Sequence, residues 1–189
     1  KVPTICAYCG VGCSLNLEVE DGKVVAVSNS FESEANNGNL CVKGRFGFDF
    51  INHIDRLTTP LLRKGGKGSP LEPVSWDEAT TYVADKLNQI KEEHGPNAIA
   101  GLNSSKATNE ENYVFQRFMR AAIGTNNVDH CARLCHVASA VALDQSIGSS
   151  APTATTRDIS EADAIIIIGS NTTETHPVIS GAALAARYE

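Results

Sequence analysis

The stretch CAYCGVGC at residues 6–13 decides the fold, because three cysteines are crowded into one short glycine-containing loop. A fourth, Cys41, follows after a polar segment. Thiolates are soft metal ligands, and three of them in one loop can bind three corners of an iron–sulfur cubane while a second loop supplies the fourth. The spacing therefore predicts that Cys6, Cys9, Cys13 and Cys41 bind a 4Fe–4S cluster.

Two other uses of these thiols stay open on the residues alone. A structural Cys₄ zinc site usually brings two CxxC knuckles, whereas the second half of this motif offers only Cys41. Unpaired thiols are the third reading. Disulfides are disfavoured because no secretory signal precedes the motif, so metal binding in a reducing, cytoplasmic setting is the better interpretation.

The residues around the cysteine loop predict a small β-rich domain over residues 1–55. Ser14–Glu20 and Lys23–Val27 alternate polar and apolar residues, and Asp21-Gly22 between them is a hairpin turn signal. Residues 56–74 are rich in glycine and proline, and this composition predicts a connection between domains.

From Ser75 onward the pattern predicts helices alternating with strands. Ser75 and Thr108 each stand three residues before a glutamate, which is a helix-start signal. Ala98–Leu102 and Ala164–Ile168 are apolar runs typical of buried strands. The fold class is therefore α/β: a small β-rich iron–sulfur domain, then the start of an α/β domain with a parallel sheet over residues 75–189. Further helices are predicted near Ala138–Ile147 and Val178–Arg187.

A second motif, CARLCH at residues 131–136, stands where a loop enters an apolar helix. A thiolate near a helix start is a good nucleophile or metal ligand, and an imidazole beside it can move a proton. On the residues alone, Cys135 next to His136 can equally be coincidence. Cys131 is interpreted as a small buried apolar residue.

The third motif follows the apolar run 164–168, where small and polar residues lead into a helix. Ligands of open α/β sheets bind beyond the carboxyl ends of strands, and helix starts favour phosphate. Asn171 and Glu174 are candidates to hydrogen-bond a nucleotide. The alternative is an ordinary loop whose helix is capped by Thr175. The candidate binding residues are Gly169, Ser170, Asn171, Glu174 and His176.

Taken together, the three motifs resemble the molybdopterin oxidoreductase superfamily. CAYCGVGC with CVKGR at residues 41–45 resembles its N-terminal cluster domain. The stretch from Asn126 to His136 resembles the active-site segment of formate dehydrogenase alpha subunits, the catalytic subunits of these enzymes. The resemblance extends over essentially the whole chain.

The resemblance implies a 4Fe–4S cluster and a molybdenum or tungsten ion held by bis-molybdopterin guanine dinucleotide. Cys135 takes the position of the metal ligand and His136 that of the neighbouring catalytic histidine. Lys43, on its own a solvated lysine, takes the position between cluster and pterin. Arg133 is a candidate for binding the anionic cofactor, and the 169–176 segment lines one of its two pterins.

The implied reaction is the reversible oxidation of formate to carbon dioxide, with electrons leaving through the cluster to partner subunits or ferredoxin. Two alternatives stay open: a nitrate reductase, although those carry methionine where His136 stands, and a cluster-bearing electron-relay subunit without molybdenum. The formal net charge of −6 argues against nucleic-acid binding. The longest apolar run is too short to span a membrane. Because the chain starts at Lys1 and ends inside a helical pattern, we expect a fragment of a catalytic subunit.

Overall fold

The cysteine loop leads directly into a three-stranded antiparallel sheet. The computed structural model describes residues 1–187, and in it Ser14–Glu20 pairs with Val2–Ile5 on one side and Lys23–Asn29 on the other. Asp21 and Gly22 both have positive φ, 49° and 75°. Two left-handed residues make a type I′ turn, whose twist matches that of the strands it joins. The predicted hairpin is confirmed.

The strands and helices are numbered in chain order. The strands are β1 (Val2–Ile5), β2 (Ser14–Glu20), β3 (Lys23–Asn29), β4 (Leu61–Leu62), β5 (Glu72–Pro73), β6 (Gly101–Asn103) and β7 (Val128–His130). The helices are α1 (Val42–Phe46), α2 (Trp76–His94), α3 (Asn109–Arg117), α4 (Ala132–Cys135), α5 (Val137–Ile147), α6 (Thr156–Ser160), α7 (Thr172–Thr175) and α8 (Pro177–Ala185). Single turns of 3₁₀ helix lie at Asp49–Ile51 and Pro96–Ala98, and Phe118–Ile123 is π-helical.

Local signals set the starts of two helices as predicted, and a glycine ends one of them. The Thr108 hydroxyl accepts a hydrogen bond from the Glu111 N–H, and the Glu111 carboxylate accepts one from the Thr108 N–H, which completes a capping box at the start of α3. At α2 the Ser75 hydroxyl accepts from the Glu78 N–H. The helix ends at Gly95, whose φ of 81° requires a residue without a Cβ.

A small apolar core lies between α2, α3 and the parallel pair β6–β7. Ile99, Met119 and Ile123 are buried, and Leu87, Phe115 and Val128 pack against them. Gly101 lets β6 lie close to the Phe115 ring of α3, because a Cβ at this position would be only 2.8 Å from the ring. The strands pair in parallel, with Gly101 opposite Val128 and Asn103 opposite His130. The expected parallel sheet of an α/β domain is therefore present.

The first of the two predicted buried strands is shorter and less buried than expected. It was expected at Ala98–Leu102, but the 3₁₀ turn at Pro96–Ala98 occupies its beginning and the strand is Gly101–Asn103. Leu102 is 82% exposed. Its side chain points away from the core because strand side chains alternate between faces and Gly101 is the buried neighbour.

The prediction of a central strand at Ala164–Ile168 is wrong. No β pairing is assigned to this segment, and Ile166 and Ile168 are 85% and 86% exposed. A strand requires a neighbour that shares its backbone hydrogen bonds. None of residues 1–187 pairs with this segment, so its apolar β-branched composition alone does not make it a strand.

The chain divides into two compact units, and one of them is built from two separate stretches of the sequence. One unit combines Lys1–Arg56 with the chain from Pro152 onward, and the other is Leu57–Ala151. The first therefore holds the four-cysteine motif and the 169–176 segment, and the second holds CARLCH. The boundaries expected from composition, 1–55, 56–74 and 75–189, stay a prediction.

Candidate functional site

The loop that carries the first three cysteines is closed by its own backbone. The Cys6 N–H donates to the Cys13 carbonyl at 2.8 Å, and the Gly12 N–H donates to the Cys9 carbonyl at 3.4 Å. Gly12 has a φ of 68°, which a side chain would oppose. The three thiols are thereby held in one turn at the start of β2.

The Cys41 loop is joined to this turn through α1. Cys41 is the residue before the first turn of α1. A Cβ on Gly44 would lie 3.4 Å from the Cys6 sulfur, so α1 approaches the first loop closely. The Tyr8 hydroxyl donates to the Gly47 carbonyl just after α1. The structure therefore brings the two predicted cysteine loops together.

The sulfurs of Cys6, Cys9 and Cys41 lie close enough to Cys13 to act on its thiol electrostatically. Burial raises the pKa of Cys13 to about 11, and the neighbouring Cys6, Cys9 and Cys41 add to the increase. Within residues 1–187, no group of three Cys, His, Asp or Glu side chains is arranged to hold a single metal ion. Four soft sulfur donors on two adjoining loops are the donor set of an iron–sulfur cluster, so the residues present fit that group.

The segment that follows the exposed apolar run contacts both cysteine loops within the same unit. The Lys43 ammonium donates to the Glu174 carbonyl at 3.5 Å. A Cβ added to Gly10 would lie 4.0 Å from the His176 Nε2. Lys43 and His176, both predicted as site residues, therefore lie where the cluster loops meet the segment predicted to bind a pterin.

The other predicted residues of that segment are organised by internal hydrogen bonds. Gly169 has a φ of 64°. The Ser170 hydroxyl lies 3.0 Å from that of Thr172, and the Asn171 amide donates to the Glu174 carboxylate at 2.9 Å. The residue preceding the last helix, α8, is His176, not the Thr175 of the plain-loop alternative.

In the other unit, CARLCH follows the carboxyl end of β7. Cys135 ends the short helix α4 and is exposed. His136 lies between α4 and α5. Its φ of −144° and ψ of 9° are not helical, so the two helices do not run on as one. The carboxyl ends of parallel strands are where α/β proteins bind ligands, and the structure places this motif there.

Arg133 is held by an acidic neighbour. Its Nε donates to the Asp129 carboxylate at 3.0 Å; the Arg133 side chain is mostly exposed and that of Asp129 is partly exposed. The Arg133 guanidinium lowers the pKa of Asp129 below its ordinary value. An ion pair this accessible to solvent is weak.

Cys131 was expected to be buried and is exposed. The Ser105 N–H donates to its sulfur at 3.1 Å, and the Ser105 hydroxyl lies 3.3 Å away. These contacts lower the pKa of Cys131. The expectation failed because Ser105 is far away in sequence and meets Cys131 only where β6 and β7 pair. No sequence signal singled out Ser105.

Two family models match the chain. The Fe4S4 domain of molybdopterin oxidoreductases matches residues 1–53, and the molybdopterin oxidoreductase model matches residues 56–188. The chain therefore belongs to the molybdopterin oxidoreductase family, whose cofactors are a 4Fe–4S cluster and molybdopterin. The resemblance inferred from the sequence is confirmed, and with it these two cofactors.

The relatives include formate dehydrogenases. Formate dehydrogenase H of Escherichia coli is 45% identical over 99% of this chain, and the alpha subunit of F420-dependent formate dehydrogenase 1 of Methanococcus maripaludis is 45% identical over 98%. The probable oxidoreductase YjgC of Bacillus subtilis is 43% identical over 95%. The chain spans only 27%, 27% and 18% of the lengths of these three proteins.

A solved structure supports the fold. Acetylene hydratase from Pelobacter acetylenicus superposes with a TM-score of 0.63 at 23% identity, over 85% of this chain and 20% of the hydratase.

Among residues 1–187, no helix is both long enough and apolar enough to cross a membrane.

Proposed function

We propose that the chain is part of the catalytic subunit of a molybdenum- or tungsten-dependent formate dehydrogenase. The observation that carries the proposal is the pair Cys135-His136, exposed where the parallel strand pair ends. The similarity of the chain to formate dehydrogenases along almost its whole length supports it. A nitrate reductase is disfavoured because histidine, not methionine, follows Cys135.

Each residue of the second motif has a role that suits its chemistry. The Cys135 thiolate would bind the molybdenum or tungsten ion, since thiolate is a soft, strongly donating ligand. The His136 imidazole would accept and release the proton that formate oxidation liberates. Arg133 would leave Asp129 and bind the anionic cofactor.

The 169–176 segment of the cluster-bearing unit would line one of the two pterins of the bis-molybdopterin guanine dinucleotide. Gly169 and Ser170 would allow close approach of the cofactor, and Asn171, Glu174 and His176 would hydrogen-bond to it. Lys43 is suited to lie between the cluster and the pterin, because its ammonium already reaches the Glu174 carbonyl.

The cofactor supplies two-electron redox chemistry when it is bound. The residues of this chain would hold it and place the His136 imidazole beside it. Cys6, Cys9, Cys13 and Cys41 would bind the cluster through which electrons leave, to partner subunits or to ferredoxin. None of the six cysteines, all of which lie in the described residues, forms a disulfide, which is in keeping with the cytoplasmic location that we propose.

The test is a Cys135→Ala variant of the purified holoenzyme, assayed for formate-dependent dye reduction. We expect formate oxidation to be lost while the reduced cluster keeps its EPR signal. Cys131→Ala is the matched control, because it removes an exposed thiol four residues away and should retain activity. Normal formate turnover in Cys135→Ala would reject the assignment.

Metal analysis and a second substrate separate the alternatives. Iron together with molybdenum or tungsten, and nitrate-dependent oxidation of reduced dye in place of formate oxidation, would identify a nitrate reductase. Iron alone, with electron transfer unaffected in Cys135→Ser, would identify an electron-relay subunit.

A further inference from the structure

The loop between β3 and α1 contains one asparagine that the sequence does not distinguish from its neighbours. Asn36 lies in the polar run 34–39, which reads as an ordinary surface loop. In the structure its side chain is 1% exposed, and among residues 1–187 it is the largest side chain buried so fully. A buried amide is retained only where hydrogen bonds replace those it would make to water.

Asn36 makes three hydrogen bonds, and they join the two cysteine loops. Its Oδ1 accepts from the Ser14 N–H at 3.0 Å, and its Nδ2 donates to the Ser14 carbonyl at 3.1 Å. Nδ2 also donates to the Asn39 carbonyl at 2.9 Å. Ser14 is the residue after Cys13, and Asn39 stands two residues before Cys41.

The backbone around Asn36 is closed as well, which leaves little freedom in the link. The Asn39 N–H donates to the Asn36 carbonyl at 2.7 Å. From the outside, the Thr156 hydroxyl donates to the Ala35 carbonyl at 3.0 Å. One buried amide therefore joins the chain just after Cys13 to the chain just before Cys41, in addition to the contact that α1 makes with the first loop.

We propose that Asn36 is the positioning residue that holds Cys41 at the distance from Cys13 that a complete 4Fe–4S cluster requires. A cubane needs all four thiolates at its corners, and three of them come from one loop. Tyr8 and α1 join the two loops after Cys41, and Asn36 joins them before it, so the Asn36 bonds fix the stretch of chain that leads into Cys41. Loss of the Asn36 bonds leaves the first three cysteines in place and lets the fourth move away.

The experiment compares Asn36→Ala and Asn36→Asp in the holoenzyme purified without oxygen. Alanine removes all three hydrogen bonds, whereas aspartate keeps the acceptor for the Ser14 N–H and loses both donations. We expect iron in the cluster to fall from about four atoms to about three in both variants, with the EPR signal of a three-iron cluster, because aspartate would also turn a carboxylate oxygen toward the Ser14 and Asn39 carbonyls. Circular dichroism reports whether each variant is folded.

The control is Asn16→Ala, which removes an amide hydrogen bond of similar length in the same sheet. The Asn16 side chain donates to the Asn29 carbonyl at 3.0 Å and joins β2 to β3, not one cysteine loop to the other. Its cluster should keep four irons and an unchanged spectrum.

Three results would overturn the proposal. A folded Asn36→Ala or Asn36→Asp enzyme with unchanged iron content, EPR spectrum and reduction potential would show that Cys41 needs no such link. The same iron loss in Asn16→Ala would show that any weakening of the sheet releases iron. Failure of both Asn36 variants to fold would show a role in folding and not in cluster geometry.

Discussion

Truncation of Met119 should loosen the parallel strand pair that precedes CARLCH. Met119 is 2% exposed and contacts the core formed with Ile99 and Ile123. Met119→Ala removes three heavy atoms, at about 0.8 kcal/mol for each buried methylene-sized group. The cavity left behind adds to this loss, so we expect a destabilisation of about 2–4 kcal/mol.

Hydrogen exchange in the holoenzyme measures this loss where it occurs. The Gly101 N–H donates to the Asn127 carbonyl and the Cys131 N–H to the Asn103 carbonyl, so both amides report on the pairing of β6 with β7. A loss of 2–4 kcal/mol corresponds to exchange faster by about 30-fold to about 900-fold if these amides exchange through opening of this core.

The control and the refuting result are both specific. Val114→Ala shortens a side chain of α3 that is 61% exposed, and exchange at the two amides should change by no more than about two-fold. If Met119→Ala leaves the Gly101 and Cys131 amides as protected as before, the buried core is not what holds the strand pair together.

Two further predictions concern the same unit. Ser105→Ala should raise the pKa of Cys131, because the Ser105 hydroxyl helps to stabilise the thiolate, and the pH profile of Cys131 alkylation by iodoacetamide should move to higher pH; an unmoved profile would assign the effect to the backbone N–H alone. Thr108→Ala should destabilise the start of α3 by about 1 kcal/mol through loss of its cap, seen as faster exchange of the Glu111 amide, while Thr108→Ser should restore the protection.

The local sequence determined several elements on its own. The Asp21-Gly22 turn and the helix-start signals at Ser75 and Thr108 were all predicted, and all are present. In each case the deciding interaction joins residues at most four apart, or depends on one residue's freedom to adopt positive φ. The CAYCGVGC motif likewise predicted the 4Fe–4S cluster, because ligand spacing within one loop is a local property, and the three motifs together indicated the family and its molybdopterin.

Contacts between distant parts of the chain decided the rest. Asn36 looked like a loop residue and is buried, since its partner Ser14 lies 22 residues away at the start of β2. Cys131 looked buried and is exposed beside Ser105. The segment Ala164–Ile168 has the composition of a strand, but no segment of residues 1–187 pairs with it. Composition and spacing determined which kinds of chemistry are available to this chain. Tertiary structure determined which side chains are placed to perform that chemistry, because burial and strand pairing depend on which residues meet after folding.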